Sequence, residues 1–380
     1  MRYMEPSAIA TRRIVSVDVL RGFSMFWIIG GDGVIWALAE MLRGNGSTLD
    51  RIGTFLDTQM NHADWEGFRF YDFIFPLFIF VTGVSIVLSL PRLVEREGSY
   101  AAHIRVLRRT LLLYGLGIIY YGGVSQWSDI RFLGVLQRIA LCYGVAALLT
   151  LHLKARGLII ACAALLIGYW TLMTFVPVPG VGTGSFAPGA NLANWIDAHY
   201  LPGRLWDGDR DPEGLLSTLP AIATCLLGVL AGLFFRSGDV TPQQKSLWFI
   251  VGGIVMVCAG YAWGLQFPVI KSIWTSSFVL VAGGYSMIAL GATHYVIDVR
   301  GFHRWSIIFV WIGTNAIALY FLTLVNLERF AVRFVGGDVS RLLDQIVTPG
   351  TGRLATHVLG LVFAIALAGY LYRRRIILKI

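Results

Sequence analysis

Charged side chains are scarce in this 380-residue chain: Asp, Glu, Lys and Arg together make up 14% of it, against about 25% in ordinary soluble domains. That deficit, with 56% hydrophobic residues and a mean hydropathy of +0.68, excludes an ordinary water-soluble fold and points to a membrane protein. Cysteine is also sparse. Cys142, Cys162, Cys225 and Cys258 stand far apart inside apolar stretches, which argues against a disulfide framework or a thiolate metal site and for small buried apolar residues. The soluble-enzyme motifs are missing: no Walker loop, no GxGxxG turn, no HExxH and no CxxC. No linker run, low-complexity segment or internal repeat divides the chain, so residues 1–380 read as one integral membrane domain.

The apolar stretches are long and continuous. A bilayer core needs about 20 apolar residues per helix, and about ten candidate spans meet that length: 15–39, 72–90, 107–123, 132–151, 158–176, 214–235, 246–265, 273–294, 305–325 and 354–372. Alternating ten-residue segments, the mark of a membrane β-barrel, are not seen. The expected fold class is therefore an all-α polytopic membrane protein. Asp18, Arg21 and Asp32 interrupt what would be the apolar core of a signal peptide, so the first span is expected to be retained.

Lys and Arg set the orientation. With both termini cytoplasmic, eighteen of them fall in inside segments: Arg2, Arg12, Arg13, Arg92, Arg96, Arg105, Arg108, Arg109, Lys154, Arg156, Arg236, Lys245, Arg300, Arg304, Arg373, Arg374, Arg375 and Lys379. Eleven fall outside, where acids crowd one loop at Asp197, Asp207, Asp209, Asp211 and Glu213. The net charge of +9 is then topology signal and contact with anionic membrane lipids, not nucleic-acid binding. The outside segments 40–71, 177–213 and 326–353 are long enough to hold structure, and only 91–106 is long on the inside. Asp211-Pro212-Glu213-Gly214 has the residues of a helix start: an Asp N-cap, Pro at the first helical position and Glu in the first turn.

One segment concentrates chemistry. Asn61-His62-Ala63-Asp64-Trp65-Glu66-Gly67 sets a histidine among acids and an indole, just before the apolar run that begins Phe70-Tyr71-Asp72-Phe73. A histidine there can take a proton or carry an acyl group near neutral pH. Asp18 and Arg21, three apart on one helix face, are expected to pair. Asp32, about 21 Å further along that helix, is expected level with His62, where a carboxylate would fix the imidazole tautomer. Gln137, Arg138 and Asn315 also fall within spans, where interhelical hydrogen bonding is the commoner fate. His103, Arg105, Arg108 and Arg109 form a basic inside cluster suited to phosphates, of lipid headgroups or of a nucleotide cofactor. Trp65, Trp195, Trp206 and Trp274 lie in or near outside loops, where an indole can stack on a sugar ring.

The motifs occur in a known order. Ser16-Val17-Asp18-Val19-Leu20-Arg21-Gly22 resembles the opening S-x-D-x-x-R-G of the heparan-α-glucosaminide N-acetyltransferase family and its bacterial relatives. His62-Ala63-Asp64-Trp65-Glu66-Gly67, running on to Asp72-Phe73-Ile74-Phe75-Pro76, is similar to that family's H-A-x-W-x-G and D-x-x-F-P blocks. Further similar blocks are Gly134-Val135-Leu136-Gln137-Arg138-Ile139, Asp211-Pro212-Glu213-Gly214-Leu215-Leu216-Ser217-Thr218, Lys271-x-x-Trp274-Thr275 and Asn315-Ala316-Ile317. The resemblance implies a transmembrane acyltransferase that moves an acetyl group from cytosolic acetyl-CoA, as co-substrate and without a metal, to an amino sugar. It implies His62 as the active histidine and a homodimer. Asp32 stands where the human enzyme's motif carries an asparagine. The lumenal N-terminal extension of the animal enzyme has no counterpart in this chain, so a bacterial inner-membrane setting and an envelope glycan or amino sugar are expected.

The expected function is therefore acetyl transfer across the membrane, with His62 as general base or acyl carrier and Asp32 beside it. Arg108 and Arg109 would hold the acetyl-CoA phosphates, and Asp72, Gln137, Arg138, Lys271, Trp274 and Asn315 would bind the acceptor. The alternative is a proton-coupled sugar or amino-sugar transporter with Asp32, His62 and Asn315 along its path. The lack of repeats counts against it.

Overall fold

The computed structural model describes residues 14–43, 48–325 and 327–377. Both chain ends, and with them Arg2, Arg12, Arg13 and Lys379, lie outside the described residues. Among those described, the chain is helical, with three isolated β-bridges as its only extended pairing. In chain order the helices are α1 (Val15–Leu42), α2 (Thr48–Met60), α3 (Phe70–Tyr120), α4 (Val135–His152), α5 (Ala155–Phe175), α6 (Leu192–Tyr200) and α7 (Thr218–Arg236). Then come α8 (Pro242–Gly264), α9 (Ser276–Val299), α10 (Ile307–Thr314), α11 (Ala316–Leu322), α12 (Leu327–Val335), α13 (Asp338–Ile346) and α14 (Thr351–Arg373).

Eight of these helices are long and apolar enough to cross a membrane: α1, α3, α4, α5, α7, α8, α9 and α14. The chain is a multi-pass membrane protein. Helices α3, α4, α7 and α9 form the buried centre, while α1, α5, α8 and α14 leave most of their surface open. That open surface is apolar, as at Ile159, Ile160, Leu247, Ile254 and Val255. A helix apolar on all sides and exposed on one needs a hydrocarbon solvent.

Two breaks separate the structure from the expected spans. Segment 91–106, expected as an inside loop, is helical, and α3 continues through it for 51 residues. Gly98, at φ 86° and ψ 167°, divides α3 into two limbs, a backbone geometry that only glycine adopts without strain. His62, just before the first limb, and Tyr121, just after the second, line one cavity. The limbs therefore run out and back. The span expected at 305–325 is broken at Asn315, where φ −122° and ψ 34° separate α10 from α11.

The helix start expected at Asp211 is displaced. α7 begins at Thr218, and residues 211–217 form turns instead. Asp211 still accepts from the Glu213 amide at 2.9 Å, so its turn chemistry is used locally, but its carboxylate is drawn off by Arg131. The segments expected outside hold structure, as their length suggests: α2 in the first, α6 in the second, α12 and α13 in the third. The Asp18–Arg21 pair forms at 3.5 Å, and Arg21 also donates to Ser85 on α3 at 2.7 Å. All four cysteines are free; three are buried, whereas Cys258 is exposed on α8.

The loops and helix ends at the His62 cavity come from segments that the charge pattern places outside. At the opposite end, Asp298 accepts from the Val15 and Ser16 amides, both at 3.1 Å, and His103 meets His152 at 3.0 Å.

Candidate active site

His62 lies in an irregular loop, residues 61–69, that leads into α3. Asp72 in the first turn of α3 organises that loop. Its Oδ2 accepts from the amides of Ala63 (3.1 Å) and Arg69 (3.0 Å), which caps the helix and pins the loop. Its Oδ1 is left for His62 Nδ1, 2.8 Å away. A carboxylate at Nδ1 holds the proton on that nitrogen and leaves Nε2 as the basic atom. The Arg69 side chain closes the loop from the other side, donating to the His62 carbonyl at 2.6 Å.

The His62 side chain is 49% exposed while Asp72 is fully buried. The imidazole is therefore reachable and its partner is hidden. Asp72, expected to bind the acceptor, has both oxygens turned to the histidine loop.

Lys271 completes the cluster from the far side of the cavity. Its Nζ lies 2.8 Å from both ring nitrogens of His62 and 3.6 Å from Asp72. The loop carrying it is tied to the histidine loop by a bridge between Glu66 and Ile270 and by the Gly67 amide donating to Val269 O at 2.8 Å. Burial brings the Lys271 ammonium down to about 8. Burial, helped by the nearby Lys271 charge, holds the His62 imidazole below its ordinary value, against the opposing pull of Asp72. Around neutral pH the site thus holds a neutral imidazole beside a readily deprotonated cation.

The cavity in front of this cluster measures about 300 Å³, the lower end of small-ligand sites. Tyr121, Trp206 and Trp274 give it aromatic walls, and Asp207 and Glu213 add carboxylates. Arg131 underpins it. Its guanidinium donates to Asp211 (2.9 and 3.2 Å) and Glu213 (2.7 Å) and lies over the rings of Tyr121 (4.4 Å) and Trp206 (4.5 Å). Trp274 sits at φ 51°, a conformation that a bulky residue rarely takes, held by an Nε1 bond to Thr224 at 3.1 Å.

The remaining expected site residues divide clearly. Gln137 and Arg138, expected to bind the acceptor, are completely buried and do not line the cavity. Gln137 donates to the Arg131 carbonyl, and Arg138 donates to Ser217 and Gly214 O and lies over Trp274 at 5.0 Å. They hold up the wall of the cavity from behind. Asn315 is apart from the cavity; it bonds the Ile376 carbonyl at 3.0 Å and braces the break between α10 and α11. Arg108 is exposed on the second limb of α3, and Arg109 rests on the Tyr143 ring at 4.5 Å; neither lines the His62 cavity.

Asp32 does not bond His62. Its Oδ2 accepts from the Tyr71 hydroxyl at 2.8 Å, and Tyr71 stands with its ring 4.8 Å from that of His62. Asp32 faces a second cavity of about 280 Å³, lined by Ile28, Ile29, Trp36, Leu322 and His357 among others. Of the four tryptophans expected in or near outside loops, Trp206 and Trp274 line the His62 cavity, Trp65 donates to Phe186 O at 2.8 Å, and Trp195 stacks on His199. Tyr71, Tyr121, Arg131, Asp207 and His357 were not singled out from sequence as site residues.

Comparison with known proteins bears directly on this arrangement. Residues 13–258 match the family model described as heparan-alpha-glucosaminide N-acetyltransferase, catalytic. The chain belongs to that family. Human heparan-alpha-glucosaminide N-acetyltransferase is 28% identical over 369 positions, covering 81% of this chain and 52% of the relative. The mouse protein of the same name is 26% identical over 322 positions, covering 68% and 48%. The chain thus spans about half the length of the curated relatives it matches. The family match takes in His62, Asp72, Arg131 and Glu213, while Lys271 and Trp274 lie past its end.

Proposed function

We propose that this protein is a membrane acetyltransferase that moves an acetyl group from acetyl-CoA to the amine of an amino sugar held in the His62 cavity. The observation that carries this reading is the joining of His62 to buried Asp72 and to Lys271 in a cavity walled by indoles and carboxylates. The human and mouse relatives are each named as a heparan-alpha-glucosaminide N-acetyltransferase, which supports the reading.

In this reading the aromatic walls stack on the sugar's apolar face, and Asp207 and Glu213 draw in its ammonium group. Once the amine has lost its ammonium proton, its nitrogen attacks the thioester carbonyl. His62 Nε2 takes one of the two remaining amine protons as the C–N bond forms, and the other stays on the amide nitrogen. The proton on His62 then goes to the departing sulfur as the C–S bond breaks, giving the amide and free CoA. Lys271 faces the charge that develops on the carbonyl oxygen. Asp72 keeps the imidazole in the right tautomer and steadies the imidazolium. The exposed Arg108 and its neighbour Arg109 would receive the CoA phosphates on the opposite, cytoplasmic face. The setting would be a bacterial inner membrane, with the protein as a homodimer.

The test is acetyl-CoA consumption by purified protein with glucosamine as acceptor, wild type beside His62→Ala. Release of CoA and appearance of N-acetylglucosamine in wild type alone supports the reading. Glucosamine uptake into proteoliposomes with no CoA released would replace it with transport. Acid quenching with labelled acetyl-CoA and no acceptor distinguishes direct transfer, which leaves the protein unlabelled, from a covalent acetyl-imidazole.

A further inference from the structure

His62 is held at its ring nitrogens, by Asp72 at Nδ1 and by Lys271 Nζ at 2.8 Å from both, but polar contacts at the nitrogens alone do not fix the plane of a half-exposed ring. The Tyr71 ring supplies a restraint of a different kind, packed against the imidazole at 4.8 Å with 36° between the planes. Tyr71 is in turn held at its far end, where the hydroxyl donates to Asp32 Oδ2 at 2.8 Å. Asp32 Oδ1 accepts from the Gly33 amide, also at 2.8 Å, so both carboxylate oxygens are occupied by donors.

The backbone of α1 is distorted at this point. Residues Trp27–Gly31 form a π-helical turn with Gly30 at φ 133°, immediately before Asp32. An extra residue in a helical turn rotates everything beyond it and re-aims the next side chain, and such turns gather at functional positions. The distortion therefore sits where the Asp32–Tyr71 bond is made, 39 residues apart in the chain.

We propose that Tyr71 is a positioning residue for His62, and that Asp32 acts through it by holding the tyrosine hydroxyl, not by taking a proton in the reaction. This rests on His62 being the reactive group. It assigns a role to a residue that the apolar run after the histidine loop conceals, and it changes the role expected of Asp32. A carboxylate that only holds the Gly33 amide and the tyrosine hydroxyl is replaceable by an amide, whose oxygen accepts from the first while its NH2 donates to the second. A carboxylate that serves as base is not.

The experiment compares Tyr71→Phe, Asp32→Asn, Asp32→Ala and the Tyr71→Phe/Asp32→Ala double variant in the full chain. Two readouts are taken: acetyl transfer, and the pH-dependent rate of His62 acylation by diethyl pyrocarbonate, followed on the His62 peptide by mass spectrometry. Tyr71→Phe and Asp32→Ala should each lower kcat about tenfold with acceptor KM within about twofold, and the double variant should be no worse than either, because the pair acts as a unit. Asp32→Asn should stay within about threefold of wild type. The His62 acylation rate should change in Tyr71→Phe and Asp32→Ala and hold in Asp32→Asn.

An Asp32→Asn variant that melts like wild type yet is as inactive as His62→Ala overturns the proposal, since the charge is then required. Multiplicative losses in the double variant, or a Tyr71→Phe protein unchanged in both readouts, overturn it as well. If wild type transfers no acetyl group, the proposed function fails by itself, and the acylation rates still decide whether Tyr71 and Asp32 position His62.

Discussion

Two cavities of nearly equal size, about 300 and 280 Å³, are linked through Tyr71, whose ring packs on His62 of the first and whose hydroxyl bonds Asp32 of the second. The first gathers His62, Lys271, Arg131, Glu213 and Asp207 among aromatic walls. The second is walled by Ile28, Ile29, Leu319, Leu322, Leu361 and Ala364, with Asp32 and His357 as its titratable groups. Volume does not separate them; lining chemistry does. Convergent polar groups on an aromatic frame mark a place where a ligand is oriented and changed. An apolar chamber with one occupied carboxylate marks packing that serves its neighbour. Changes in the first cavity should therefore act on chemistry, and changes in the second should act only through the Asp32–Tyr71 bond.

The largest effect is expected at His62 and its carboxylate. His62→Ala should lower acetyl transfer by about 10³-fold or more, and Asp72→Asn by about 10²–10⁴-fold, because an amide no longer enforces the Nδ1–H tautomer. Steady-state rates with thermal melting as a folding control check this. An Asp72→Asn protein that keeps full rate would mean the buried carboxylate is only a helix cap. Next comes Lys271→Met, expected to cost about 10²-fold if the ammonium faces a developing oxyanion.

The pH profile sharpens the same contrast. His62 must be neutral to act and its pKa lies below the ordinary value, so activity should fall on acidification with a midpoint below about 6.5. Lys271 titrates at about 8, so activity should fall again above that pH as the cation is lost. In Lys271→Met the alkaline limb should vanish while the acid limb remains. A profile whose alkaline limb is unchanged in that variant removes Lys271 from the chemistry.

Arg131 tests the frame and not the reaction. Its side chain is 2% exposed and neutralises two carboxylates, Asp211 and Glu213. Removing a buried partner leaves uncompensated charge, which costs about 3–5 kcal/mol. Arg131→Met should therefore lower the melting temperature measurably, and chemical denaturation in detergent would measure it. Unchanged stability would mean that water or counter-ions reach those acids in the folded protein.

Legibility in the sequence followed the range of the physics involved. The spans were readable because bilayer thickness sets a minimum apolar length, and composition alone meets it. The break at Gly98 was not, since residues 91–106 are equally suited to a polar loop or to two helix ends, and only the packing of the two limbs decides. His62 and Asp72 stand out as titratable groups in the histidine block and at the mouth of a span, whereas Lys271 enters only through the block that resembles the family's. Their division of labour does not stand out: nothing in the spacing says that Asp72, ten residues away, reaches the imidazole while Asp32 bonds a tyrosine. Arg131 and Asp211 are 80 residues apart, and a helix-cap reading of Asp211 satisfied every local signal. Tertiary charge pairing overrode that local preference and moved the start of α7 to Thr218. Tyr71 was hidden among phenylalanines, where one hydroxyl changes no hydropathy pattern.

The smallest effect is expected in the second cavity, and it is the one that tests the comparison most directly. Leu322→Ala enlarges the chamber without touching Asp32 hydrogen bonds, which go to Tyr71 and Gly33. If the chamber matters only through those bonds, acetyl transfer should stay within about twofold and any loss should appear as stability, in the range of about 2–5 kcal/mol seen for buried leucine truncations or less at this half-buried site. Kinetics and melting on the same preparation separate the two. A kcat loss of about tenfold at unchanged melting temperature would show that the apolar chamber binds part of a reactant. The two cavities would then be two halves of one site, joined through the contacts of Tyr71 with His62 and Asp32.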